Sequence, residues 1–240
     1  MTTETPQRQH EREAAWGEPV RGEPRWPASL AVIAALLLYV MLPDALTVGP
    51  TWLLPILDLA LLVPLWIAAP RRRSGEPRWQ RWAAVALIAV INAANVGSLV
   101  LLVQALLTGK KVLVRANEQI SLTGQTLIVA AIAIWLTNVL VFALWYWELD
   151  RGGPDDRSGP GHREPDFLFP QMITPACTVG HWAPRFVDYL YVAFTNATAF
   201  SPTDTMPLTP AAKGLMLLQS LASLLTVALV AARAVNILGA

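Results

Sequence analysis

The chain has 240 residues, of which 54% are hydrophobic and 15% charged, with a net charge of +1 and a mean hydropathy of +0.43. That balance excludes an ordinary soluble domain and gives no footing for a nucleic-acid partner; it fits an integral membrane protein. Cys177 is the single cysteine, which excludes an intrachain disulfide.

Residues 1–27 carry four arginines and five glutamates and read as a disordered polar tail. A secretory signal ending near Gly49 is the competing reading, but the charges are too mixed for it. Residues 29–48 are expected to form the first spanning helix and residues 51–69 the second. The turn Gly49-Pro50 would join them as an antiparallel hairpin, with Asp44 at the interface. Asp58 falls inside the second, in LLPILDLALL. An acid in hydrocarbon is costly and marks a functional candidate; a protonated or hydrogen-bonded place in the bundle is the plainer account.

Residues 71–81 hold five arginines against one acid, the pattern of a loop retained in the cytoplasm and in contact with anionic lipid. Residues 82–107 are expected to be the third span, with Asn92, Asn95 and Ser98 on one face, for helix contact or a hydrated cavity. Residues 108–125 read as a loop and 126–148 as the fourth span, ending in Trp145-Tyr146-Trp147. Tryptophans clustered at the predicted helix ends suit interfacial belts. Residues 150–184 read as a long Gly/Pro-rich loop, where His162 and His181 are too isolated to ligate a metal. No P-loop, GxSxG, HExxH or GxGxxG is present, so neither enzyme chemistry nor a cofactor is expected.

Residues 186–199 form a short aromatic segment. As a helix it is ~21 Å long, at ~1.5 Å per residue, against a hydrocarbon core of ~30 Å. A polar run, Ser201-Pro202-Thr203-Asp204-Thr205, follows, then Pro207 and Pro210, then a spanning stretch over 211–237. Short helix, polar turn and spanning helix make the layout of a re-entrant loop, tolerated at membrane depth only where protein or water satisfies the backbone.

This stretch resembles the pore module of potassium channels, FxDALYFSFxTLTTVGYGDxxPxTPxGKxxxxxQ. With Asp204 on the acid that closes the filter, Asp188, Leu190, Tyr191, Phe194 and Thr198 match upstream. Pro207, Thr209, Pro210, Lys213 and Gln219 match downstream. Ala199, Phe200, Ser201, Pro202 and Thr203 stand in place of TVGYG. The stretch is also similar to a family of bacterial membrane proteins of no assigned function with a degenerate filter, a likeness reaching back to about Thr137. The resemblance implies a homo-oligomer, tetrameric by analogy, that passes small monovalent cations along Thr198 to Asp204. Asp188, Tyr191, Asn196, Pro207, Gln219 and Ser223 would support that path. The alternative is a non-conducting membrane scaffold that keeps the pore fold; a membrane enzyme would need convergent acids or histidines, which the sequence lacks.

Ser201 and Thr203 replace the filter glycines and Pro202 fixes φ between them, which opposes a ladder of axial carbonyls. The hydroxyls of Thr198, Ser201, Thr203 and Thr205 remain. Asp204 makes either an acidic ring or an N-cap or turn. Gln219 and Ser223, four apart on one face, either line a pore or bond to the short helix.

The expected class is thus an all-α integral membrane protein with about five transmembrane helices and one re-entrant pore-type helix. The tail (1–27) is followed by three N-terminal spans with their loops (28–125) and the channel-like module (126–240). The expected location is the plasma or inner membrane. Residues 1–28, 70–81 and 149–210 then share one face with 13 of the 18 basic residues, which the positive-inside rule places in the cytoplasm. By that rule the short helix would enter from the cytoplasm, whereas in potassium channels it enters from outside; a full crossing by residues 186–199, an inverted pore or a misleading arginine count would each resolve the conflict, and the side of entry stays open.

Overall fold

The computed structural model describes residues 24–50, 52, 55–56, 78–108, 112–114, 118–120, 123–158, 164–174, 182–198 and 204–238. Most of the tail, most of the expected second span including Asp58, residues 71–77, Cys177, His162, His181 and Ala199 to Thr203 lie outside the described residues.

The described chain is mostly helical: α1 (Trp26–Val40), α2 (Arg78–Thr108), α3 (Gly124–Leu149), α4 (Pro154–Ser158), α5 (Pro170–Ile173), α6 (Phe186–Thr198) and α7 (Pro210–Leu238). Among the described residues three helical stretches are long and apolar enough to cross a membrane: Arg81–Leu107, Gly124–Gly152 and Pro210–Ala232. Two short antiparallel ladders pair β1 (Val112–Val114) with β2 (Glu118–Ile120) and β3 (Phe167–Leu168) with β4 (Met206–Pro207).

The helix ends follow local chemistry. Pro27 opens α1 and Pro210 opens α7, the first-turn place where a missing N–H costs nothing. Thr123 caps α3 by accepting the Thr126 amide at 3.2 Å, and Thr209 caps α7 by accepting the Ala212 amide at 3.3 Å. Asp188 accepts the Arg185 amide at 2.7 Å, the return half of a capping box on α6.

Two expectations are corrected. The first helix stops at Val40 rather than Val48, giving a 15-residue helix and a separate 3-10 turn, Asp44–Leu46. Pro43 is the reason: it offers no amide and pushes Leu42 out of helical conformation. The segment after α2 is not a plain loop, since the apolar run Val112–Val114 pairs with Glu118–Ile120.

Helix α3 is the centre, packed against α1, α2, α6 and α7. Of its membrane-length stretch 67% is buried, against 17% for that of α7, so α7 lies on the outside. One core layer joins Ala28–Leu36 of α1, Leu87–Ile91 of α2, Val139–Trp147 of α3 and Ala212 of α7. A second joins Tyr39, Leu42 and Leu46 to Ala94–Ala105, Leu127–Ile134, Leu229 and Val230. Helices α1, α2 and α7 therefore all run antiparallel to α3, and their N-termini share the end of the bundle where α3 finishes. At the far end the Tyr39 hydroxyl takes the Val48 amide at 3.1 Å, and the Val48 side chain reaches Gly97. A Cβ on Gly97 would lie 2.4 Å from Val48 Cγ2.

Candidate functional site

Of the residues singled out from 188 to 223, those described fall on α6, on α7 and on the stretch 204–209 before α7. Helix α6 starts beside the end of α3, where the Phe186 and Trp147 rings are 6.0 Å apart. It reaches only as far as Trp135, whose ring is 5.8 Å from Phe194. From Trp147 back to Trp135 is twelve residues of α3, ~18 Å at ~1.5 Å per residue. By Met206–Pro207 the chain is back against Phe167–Leu168, at the end from which α6 started.

Gln219 is the hub between α3, α6 and α7. It is fully buried. Its Oε1 accepts from the Tyr146 hydroxyl at 2.5 Å and from Asn196 Nδ2 at 2.8 Å. Its Nε2 donates to the Ala193 carbonyl at 2.8 Å. Asn196 Nδ2 also donates to the Met216 carbonyl at 3.0 Å, and Asn196 Oδ1 accepts from the Ser220 hydroxyl at 3.1 Å. Asn138 Nδ2 donates to the Gln219 carbonyl at 3.3 Å. One turn on, the Ser223 hydroxyl donates to the Ala197 carbonyl and accepts from Trp135 Nε1 at 2.7 Å. Of the two roles open to Gln219 and Ser223, bonding to the short helix is the one taken.

The other candidates separate. Asp188 sits in the first turn of α6, Pro207 in the ladder with Phe167, and the Thr198 hydroxyl donates to the Thr195 carbonyl at 2.9 Å. Asp204 is exposed and stands six residues before Pro210, so the N-cap of α7 is Thr209 and not Asp204. Tyr191 is 57% exposed and, with Val187 and Phe194, faces an apolar groove of about 680 Å³ shared with Leu37 and Met41 of α1. Asn95 and Ser98 are buried on α2.

A second polar centre, not foreseen from the sequence, closes the end of α3. The chain leaves the helix through Arg151 at φ 54, Gly152 at φ 84 and Gly153 at φ 99, left-handed backbone that suits glycine. Arg157 folds back and donates from Nη1 to the Trp147 carbonyl at 2.6 Å and the Asp150 carbonyl at 2.9 Å. It thereby satisfies carbonyls that the helix end leaves open, and its guanidinium lies over the rings of Trp147 and Tyr189. Asp150 is fully buried. Its carboxylate accepts from the Tyr189 hydroxyl at 2.6 Å and from the Asp166 and Phe167 amides at 2.8 and 3.3 Å. Tyr189 is itself fully buried, and its hydroxyl is the donor of its bond to Asp150. Asp166 in turn accepts from the Arg151 amide at 3.0 Å and the Thr209 hydroxyl at 2.6 Å. Its carbonyl accepts the Leu208 amide at 2.8 Å. The run Asp-Arg-Gly-Gly-Pro at 150–154 was the one available signal, a helix stop beside an acid. Tyr146 and Trp147 are buried in these centres and not part of an interfacial belt, whereas Trp26 and Trp82 are exposed.

No protein-family model matches the chain, and neither a curated protein nor a solved structure matches it. Among the described residues no group of three or more His, Cys, Asp or Glu is placed to hold a metal ion.

Proposed function

We propose that the chain is a multi-pass protein of the cell membrane whose residues 126–240 form a channel-like module for small monovalent cations, assembled as a homo-tetramer. In this reading five helices span and α6 is re-entrant. The observation that carries it is the path of α6, which goes in from one end of the bundle only as far as Trp135 and is followed by a return to that same end at Met206–Pro207. The first 3-10 turn lies against α2 and β1, far from the end where α2 begins. That the turn and the start of α2 lie at opposite ends of the bundle supports the count of five spans. The arginine-rich end faces the cytoplasm by the positive-inside rule. A tetramer supplies the axis that a single pore module lacks.

A specific observation favours a second reading, the non-conducting scaffold. Gln219 and Ser223 on α7 bond to the carbonyls of α6 and Thr226 bonds to Ala222 of its own helix. The face α7 leaves outward is Leu217, Leu221 and Leu224, which offers an ion no ligand.

Flux of several cations into proteoliposomes separates the two. In the channel reading four Asp204 carboxylates ring the mouth, each acting on a passing cation by roughly 1–4 kcal/mol at ~4 Å. Asp204→Asn then lowers cation flux, more at low than at high ionic strength. Equal cation-selective flux from wild type and variant rules out the acidic ring. Absence of flux from both, with the protein folded and the gate tested open, leaves the scaffold.

A further inference from the structure

The start of α6 and the start of α7 are tied to one polar chain. On the α6 side, Tyr189 donates its hydroxyl to Asp150 at 2.6 Å. Asp150 holds the Asp166 amide at 2.8 Å, and Asp166 holds Arg151 in return at 3.0 Å. On the α7 side, Asp166 holds the Thr209 hydroxyl at 2.6 Å and the Leu208 amide at 2.8 Å. Asp150 and Tyr189 have no exposed surface, so water does not compete for the bond between them, whereas the bonds of Asp166 are half-buried.

The β3–β4 ladder is only two residues long. Left to itself so short a pairing frays. Asp166 continues it at one end, where its carbonyl takes the Leu208 amide and its carboxylate the Thr209 hydroxyl, and the same carboxylate joins that end to the Arg151 amide.

We propose that Asp150 and Asp166 are positioning residues: together they form a clasp that fixes the start of α6 relative to the start of α7. This rests on the channel reading for its functional consequence, since those two helices build the module that would conduct. The clasp itself stands on the geometry alone. Its role differs from that of Gln219, which ties the two helices to each other deeper in the bundle. Asp150 and Asp166 act on the end where the chain returns.

The test uses the full chain in liposomes, in a Cys177→Ser background, with nitroxide labels at Val187→Cys and Met206→Cys, both exposed. Pulsed electron paramagnetic resonance reads their separation. The expected result is one narrow distance peak for the parent and for Thr209→Ser, which keeps the hydroxyl. Thr209→Val and Tyr189→Phe lose that single peak and give a broad distribution. Tyr189→Phe leaves the cap of α7 intact, so its broadening cannot come from a frayed helix. Unchanged peaks in both Thr209→Val and Tyr189→Phe, with both proteins folded by circular dichroism, overturn the clasp. Where wild type conducts, the ratio of permeant cations shifts in Thr209→Val and is restored in Thr209→Ser. Broadened peaks in the variants keep the clasp even where the folded wild type, with its gate tested open, passes no ion, a result that removes the channel reading alone.

Discussion

Replacing Gln219 tests the hub of the bundle. Gln219→Leu keeps the volume and removes three hydrogen bonds, to Tyr146, Asn196 and Ala193. Asn196 retains its bond to the Met216 carbonyl. The Tyr146 hydroxyl loses its acceptor inside a fully buried pocket. An orphaned buried donor costs about 1–3 kcal/mol, whereas side-chain hydrogen bonds in membrane bundles average ~0.6 kcal/mol each. Three bonds with one orphan give about 2 kcal/mol. Tyr146→Phe alone removes one of the three bonds and costs about 1 kcal/mol. In the double variant no hydroxyl is left stranded, so its cost falls short of the sum of the singles by about 1 kcal/mol. Reversible unfolding in bicelles, followed by steric trapping, gives the four free energies of the cycle. Additivity within about 0.5 kcal/mol refutes the assigned network.

Gly97→Ala brings a Cβ to 2.4 Å from the β-branched, stiff Val48 and is expected to cost about 1–3 kcal/mol by overpacking; Val48→Ala restores the thermal midpoint, and an unchanged midpoint in Gly97→Ala alone removes the contact. Orientation is read from impermeant thiol labelling in a Cys177→Ser background, where Glu164→Cys is labelled only from the cytoplasm and Gln125→Cys, at the opposite end, only from outside; the reverse pattern inverts the bundle.

Local chemistry made much of the fold readable. Helices α6 and α7 start and stop within about two residues of expectation, because Pro210 and the aromatic-to-proline change at 199–207 are local signals. The first helix was read too long, since its continuous apolar run outweighed Pro43, whose effect is also local. The link between Gln219 and α6 was one of two open readings, and spacing alone does not tell a lining face from a packing face. Asp150 and Asp166 were invisible as a pair. Asp166 meets Thr209 across 43 positions and Tyr189 meets Asp150 across 39, and nothing in the local pattern of either acid announces such a partner.

The central place of α3 has a consequence for how the chain is made. Tyr146, Asn138 and Trp135 find their partners on α7 at 73, 81 and 88 positions further along the chain. At ~5–20 residues per second of synthesis, α3 stands in the bilayer for several seconds with an amide, a phenol and an indole unmatched. Through that interval these three polar groups have no native partner, and satisfying them waits on the arrival of Gln219 and Ser223. A chain arrested before Gln219 would carry them unmatched indefinitely.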